Sequence, residues 1–472
     1  MPGALMRRLA EALVAARRDC APGAALLSVT VAANGLRSFG LPADIEPVCY
    51  WGRPGAALRL LGSGRAACIE TRGPERFREL ERGFAGLRRG WQHFDADRTG
   101  ARPLALGGFA FDPLQHPAHA GALPNAELAV PEILLAERDG RLTLTATLSP
   151  VRQRLAAAVE DTLGAAERLL ESLSRRTAVG AAPNLARREL TPSDEAWIAR
   201  VREARTAITG GILEKVVLTR RLSVAAHRAL DPGRSLALLA ERYPECVLFA
   251  HGGAEGGVWL GATPETLLRF HAGEVASDAL AGTSERGHDS AEDQRIARAL
   301  LESPKLALEH RLVVEAIVEA LRGLCRTVDA PARPRVMALR DIQHLWTPVR
   351  GRAKPGVTLF DLLRRLHPTP AVGGTPAAAA LEWLAAAGEA RNGWYTGGIG
   401  WVDREGDGEF AVVLRCAFLR GAHAELFAGA GIVKDSNPAR ELEETEMKFG
   451  AMLEALGGAS ALRSLVGRRE NG

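Results

Sequence analysis

Short apolar runs open the chain. Ala25 to Val31, Ala57 to Leu61, Ala67 to Thr71, Glu132 to Ala136 and Leu142 to Leu148 are separated by turns bearing glycine and proline. That spacing predicts antiparallel sheet. Ahead of them, MRRLAEALVAARRDC sets Arg7, Arg8 and Arg17 beside Glu11 and Asp19. It reads as an amphipathic helix and not as the apolar core of a signal peptide. An Ala/Leu-rich helix is predicted from about Val151 to Ser174, and the basic, aperiodic stretch from Arg175 to Pro192 reads as a linker.

From Ser193 the pattern sharpens. Pro192-Ser193-Asp194-Glu195 starts a helix in which Trp197, Val201, Ala204 and Ile208 recur at helical spacing until Gly210-Gly211. The run KVVLTRRLSV (215–224) is β-branched and predicts a strand. Further strands are expected at Val258 to Leu260, Thr396 to Val402 and Glu409 to Phe418, with helices at Ser303 to Leu324 and Pro438 to about Leu456. Regular βαβ alternation is missing, so the class is α+β. Residues 1–180 and 193–460 are read as two parts of one large layered sheet structure.

Composition narrows the function classes. Hydrophobic residues at 47% and charged residues at 25% exclude disorder as the main state. Lys plus Arg at 60 against Asp plus Glu at 56 is too even for a chain whose main partner is nucleic acid. No apolar stretch reaches the roughly 18–20 residues needed to span a bilayer, so no membrane partner is expected. The six cysteines are scattered, without a zinc-like spacing, which predicts a reducing, cytoplasmic setting.

Several residues carry candidate chemistry, each with a bland account beside it. By period 2, Lys215 shares a face with Val217, Thr219 and Arg221; it is either a strand-edge lysine facing water or a buried general base. Glu265, after the turn GATP (261–264), is either a solvated loop carboxylate or one kept protonated near Trp259 and Leu267 as a general acid. Glu309 falls on an apolar helical stripe with Leu306, Val313, Ala316 and Ala320, where a carboxylate requires a cation or a donor. Glu441, Glu444 and Lys448 stand at i, i+3 and i+7, which fits an exposed Glu–Lys pair. They also follow Gly429-Ala430-Gly431 and the cap Asn437-Pro438, which suit an anion cradle. Arg415, within its predicted strand, suits a carboxylate or a core-edge ion pair. His344 and His367 read as hydrogen-bonding loop residues. The tetrapeptide Leu169 to Ser172 resembles an inhibitor-site motif of anthranilate synthases, but it falls in the Ala-rich helix and is set aside as chance.

The order of these blocks is the stronger signal. KVVL (215–218), GATPETLL (261–268), LAGT (280–283), SPKLALEHRLVVEAI (303–317), QHL (343–345), LHPTPAVGGTP (366–376), GWYTGGIGW (393–401), GDGEFAVVLRCA (406–417) and AGAGIVKDSNPARELEETEMK (428–448) occur in succession. Together they resemble the chorismate-utilising enzymes, most closely the isochorismate synthases, over roughly residues 193–460. The implied fold is that of anthranilate and aminodeoxychorismate synthases, large antiparallel sheets layered with helices. Lysine at 215 with alanine at 281 resembles the water-using branch, so no amidotransferase subunit is implied.

The resemblance implies Lys215 as base and Glu265 as acid, with Mg²⁺ held by Glu309 and Glu444 and reached by Glu441 through water. It implies a substrate pocket of Gly282, Thr283, His344, Ala371, Tyr395, Leu414, Arg415, Gly429, Gly431 and Lys448. Many relatives carry an acidic residue where Leu306 stands, which implies a weaker Mg²⁺ site here. Salicylate synthase, which goes on to eliminate pyruvate, and a non-catalytic chorismate-binding relative are the alternatives. Menaquinone synthesis is preferred over a siderophore route, and either a monomer or a homodimer fits.

Overall fold

The computed structural model describes residues 2–21, 23–36, 39–42, 48–115, 123–149, 155–175, 183–252, 256–389 and 391–457. They fall into two compact units, Met1–Ala181 with Asp231–Ala262 and Ile399–Glu409, and Ala182–Leu230 with Thr263–Gly398 and Phe410–Gly472. Each unit is therefore assembled from stretches far apart in sequence.

In the first unit the strands run in the spatial order Trp91–Asp95, Leu26–Ala32, Arg141–Leu148, Ile133–Arg138, Leu58–Ser63, Val48–Arg53, Val247–Gly252. The first pair is parallel, and the pairings whose register is defined after it are antiparallel. A second sheet of this unit orders Ala67–Thr71, Ala126–Val130 and Leu104–Phe109. The strands expected near residues 25, 57, 67, 132 and 142 are present. The helix Arg76–Arg89 and the strand Val48–Arg53 were not foreseen. The helix expected from Val151 is seen from Leu155 to Ser174, residues 151–154 lying outside the described ones.

In the second unit, Leu185–Thr191, Lys215–Ala226, His423–Ile432 and Cys416–Arg420 lie side by side. A second group orders Cys325–Asp329, Ile342–Ala353, Glu274–Glu285 and Thr266–His271. The helix Asp194–Thr209 forms as its sequence predicts. Ser193 caps it by accepting from the Ala196 amide, and Trp197, Val201, Ala204 and Ile208 are buried. The helix Pro304–Arg322 starts with proline after the Ser303 cap and buries Glu309, Leu312, Val313, Ile317 and Leu321. Its buried face is thus turned from the stripe read in the sequence, because Ala316 and Ala320 are only half-buried.

Three expectations need correction. The linker read from Arg175 to Pro192 contains the strand Leu185–Thr191, which pairs with Lys215–Ala226; long-range pairing overrides weak local propensity. The single strand read over Glu409 to Phe418 is two, Gly408–Val412 and Cys416–Arg420. They are split where Arg415 adopts a φ of 47°. The glycine-rich loop read at Gly429 to Gly431 is strand, held by antiparallel pairing to Lys215–Ala226.

Candidate active site

Every residue on which the sequence placed chemistry, apart from Glu441 and His367, lines one cleft in the second unit. Lys215, Glu265, Gly282, Thr283, Glu309, His344, Ala371, Tyr395, Leu414, Arg415, Gly429, Gly431, Glu444 and Lys448 surround about 680 Å³. Two of the glycines make the room. Val217 faces Gly431 across the ladder and Thr219 faces Gly429. A Cβ at Gly431 would stand 2.5 Å from Glu309 Oε1 and 2.9 Å from Lys215 Cε. At Gly429 it would stand 2.9 Å from Leu218 O and 3.2 Å from the Tyr395 hydroxyl.

Lys215 is 1% exposed, which removes its water-facing account. Its Nζ donates to Glu309 Oε1 at 3.0 Å. Burying an ammonium is costly unless it is paired, and Glu309 supplies the pair. The stripe carboxylate and the strand lysine thus explain each other.

Glu265 has the opposite character. It is 3% exposed, and its Oε1 accepts no hydrogen bond among the described residues. Burial, aided by Asp278, pushes its carboxyl up to about 8 against the pull of Lys215, Lys448 and Arg415. It is therefore a protonated acid at neutral pH.

The last long helix presents its charged face to the same cleft. Asn437 Oδ1 caps it by accepting from the Ala439 amide at 3.0 Å. Lys448 Nζ donates to Glu444 at 2.6 Å and to Gly429 O at 2.8 Å. Glu441 lies behind the lining, its side chain 2% exposed, and accepts from Lys305 at 2.7 Å. Burial and the neighbouring Glu444 push Glu441 up to about 7 despite that lysine. Each of the three carboxylates carries a lysine partner, and Leu306, one turn before Glu309, adds no oxygen.

Glu309, Glu441 and Glu444 offer only hard oxygen donors, which suits Mg²⁺. Their ligand atoms do not gather within 4.8 Å of one another, so at most two could bind directly without rearrangement. The resemblance implies a pair of carboxylates, Glu309 and Glu444, with waters completing the shell.

Opposite the carboxylates, Arg415 Nη2 lies 3.1 Å from His344 Nε2, and Thr283 Oγ1 lies 3.2 Å from His344 Nδ1. Burial, with Arg415 and Lys448 nearby, holds His344 well below its ordinary range, so the ring is neutral. Arg415 then donates to Nε2, and Nδ1–H donates to Thr283; that tautomer follows from the network. Tyr395 stacks on Phe427 at 5.2 Å, and burial keeps its hydroxyl protonated as a donor. Arg415 and Thr396 are non-glycine residues at φ 47° and 61°. Left-handed backbone of this kind costs of order 1–3 kcal/mol per residue and marks sites that surrounding structure holds in place.

Sequence reading missed what holds it. Arg391, buried, donates to Val372 O at 2.5 Å, Thr396 Oγ1 at 2.8 Å and Val217 O at 2.9 Å. One guanidinium thus ties three lining segments together. Glu389 accepts from the Thr219 amide at 2.7 Å and from Arg200 at 2.9 Å. His367, which the sequence reading did take as a hydrogen-bonding residue, bonds Thr396 O at 3.0 Å. The only available signal was two charged residues just ahead of the aromatic block 393–401.

The family model "Chorismate binding enzyme" matches residues 23–457. The "Salicylate biosynthesis isochorismate synthase" of Pseudomonas aeruginosa is 36% identical over 440 residues, covering 90% of this chain and 88% of that protein. "Isochorismate synthase MenF" of Bacillus subtilis is 32% identical over 425 residues, covering 87% and 88%. Among solved structures, a putative 2,3-dihydroxybenzoate-specific isochorismate synthase, DhbC, from Bacillus anthracis superposes with a TM-score of 0.69. It is 32% identical, covering 88% of this chain and 97% of that one.

Proposed function

The chain belongs to the chorismate binding enzymes, and from that premise we propose that it converts chorismate to isochorismate. Water adds at ring carbon 2 and the hydroxyl at carbon 4 departs. One observation carries the assignment of roles: a buried lysine and a buried, protonated carboxyl line the same cleft. The reaction needs one group to take a proton from water and another to give one to the leaving hydroxyl.

In this reading Lys215, acting as the neutral amine and not as the ammonium paired with Glu309, removes the proton from the attacking water. Glu265 protonates the hydroxyl that leaves as water, and the ring double bonds shift between the two carbons. Water is consumed and released, so the step is balanced and leaves Lys215 protonated and Glu265 ionised; proton exchange with solvent resets both. Arg415 and Tyr395 bind the enolpyruvyl carboxylate, and Lys448 adds a cation for the dianionic substrate.

Glu309 and Glu444 would hold Mg²⁺, with Glu441 reaching it through water. Bound there, the ion would anchor the ring carboxylate and offset its charge. Lys215 already holds one oxygen of Glu309, so a metal there would share that carboxylate with the lysine.

The route that uses the product is a finer matter. We favour menaquinone synthesis over a siderophore route; the B. subtilis relative that bears the name MenF aligns across both units. The P. aeruginosa relative, named for salicylate biosynthesis, supports the same chemical step on another route.

The test is the purified protein with chorismate and Mg²⁺, products separated over time, beside a chelator control. Isochorismate approaching a plateau and lost with EDTA supports the proposal. Salicylate with pyruvate moves the protein to salicylate synthase. Untouched chorismate at saturating Mg²⁺ sinks the catalytic reading.

A further inference from the structure

The strand Lys215–Ala226 carries the base, and one of its edges is completed by side chains. Gly374–Thr375 pairs with Lys215 and Val216, and Leu185–Thr191 takes up the edge again at Arg221. Between those points the Val217 amide donates to Gly373 O at 2.9 Å. Arg391 donates to Val217 O at 2.9 Å, and Glu389 accepts from the Thr219 amide at 2.7 Å. Two charged side chains thus satisfy backbone groups that a neighbouring strand would otherwise pair.

Glu389 reaches further than the backbone. Its side chain is 2% exposed, and Arg200 Nη1 holds one of its oxygens at 2.9 Å. The other oxygen also accepts from the Thr219 hydroxyl. Fixing that hydroxyl fixes the Thr219 methyl, because both hang on the one stiff torsion of a β-branched side chain. Thr219 stands opposite Gly429 in the ladder. From the place a Cβ would take on Gly429, the Tyr395 hydroxyl lies 3.2 Å away and the Thr219 methyl 3.5 Å. Methyl and phenol therefore converge on one spot. Stacking on Phe427 restrains the ring of Tyr395, and Thr219 with Gly429 bounds its hydroxyl end.

On the reading that Tyr395 binds the enolpyruvyl carboxylate, we propose that Glu389 is a positioning residue for that contact: it orients Thr219, and Thr219 sets where the Tyr395 hydroxyl stands. Glu389 is outside the cleft lining, so it acts on the substrate through these neighbours. Its charge works in the same direction. Burial first, then Cys416 and Glu389, push the Tyr395 hydroxyl up against the pull of Arg391 and Arg415, so the phenol keeps the proton it donates.

Steady-state chorismate kinetics of the full-length protein at saturating Mg²⁺ test this with Glu389→Ala, Glu389→Gln, Thr219→Val and Tyr395→Phe. Glu389→Ala should raise KM about tenfold, the scale of one lost hydrogen bond, with kcat within about threefold of wild type. Glu389→Gln keeps an acceptor oxygen toward Thr219 and should recover most of that KM. Thr219→Val keeps the shape and loses the hydroxyl; it should also raise KM, and it carries the test if Glu389→Ala does not fold. Added to Tyr395→Phe, either change should raise KM no further, because the three groups form one chain of contacts. KM effects that multiply with that of Tyr395→Phe, or a loss confined to kcat, overturn the proposal and leave Tyr395 as the carboxylate ligand. A Tyr395→Phe variant with unchanged KM removes the carboxylate assignment itself, and the proposal with it.

Discussion

Glu265→Gln separates the protonation of this side chain from its shape. The buried carboxyl titrates near 8 in the folded protein against 4.5 ordinarily. Because the folded value is the higher one, the native state holds the proton more tightly. Its contribution to stability is therefore complete below about pH 4.5, is lost as pH rises toward 8, and stays lost above. Each pH unit in that window costs the folded state about 1.4 kcal/mol. Glutamine does not titrate. Relative to an acid reference, the variant should exceed wild type by roughly 3 kcal/mol at pH 7 and roughly 5 kcal/mol at pH 9. Denaturant unfolding of both proteins in EDTA at pH 4, 7 and 9 measures this directly. Turnover should fall by about 10²–10⁴-fold in the variant while chorismate binding by calorimetry survives. The wild-type rate should decline above about pH 8 as the acid ionises. A stability difference that does not change with pH, or a wild type that gains on the variant as pH rises, would refute the reasoning.

Four other outcomes are expected. Lys215→Ala should abolish turnover and leave chorismate binding within a few-fold, whereas a non-catalytic binder would lose little of anything; product analysis beside calorimetry tells them apart. Gly431→Ala drives a methyl to 2.5 Å from Glu309 Oε1, so Mg²⁺ dependence should shift to higher concentration and the variant should lose about 1–3 kcal/mol of stability. Leu306→Asp restores an acidic residue one turn from Glu309 and should lower the Mg²⁺ needed for half-maximal rate by about tenfold, the scale of an outer-sphere ligand effect. Arg391→Lys keeps the charge but cannot reach Val372 O, Thr396 Oγ1 and Val217 O together. Its kcat/KM should drop by about 10²-fold through misplacement of lining residues, with circular dichroism unchanged.

Local pattern was enough for the elements whose own residues specify them. The Ser193 cap with its Trp197–Ile208 stripe, the β-branched run from Lys215, and proline after Ser303 each carry a start signal and a period. The ordered blocks after residue 193 were likewise enough to name the family and most of the polar residues of the cleft lining, because side-chain chemistry at such sites is spelled in short contiguous motifs.

What depends on pairs distant in sequence was decided only in three dimensions. Leu185–Thr191 is a strand because Lys215–Ala226 lies beside it, and Gly429 and Gly431 are strand residues for the same reason. The 94-residue gap between Lys215 and Glu309 hid an ion pair that turns two separate ambiguities into one arrangement. Glu265 reads either as a solvated loop carboxylate or as a protonated acid until its burial decides for the acid. Arg391 gives no motif of its own, since its role is to donate to backbone oxygens that any residue could carry. Periodicity reports which face of an element is apolar. Burial, charge neighbours and cross-strand partners belong to the packed chain, and they determine what each ionisable group at this site can do.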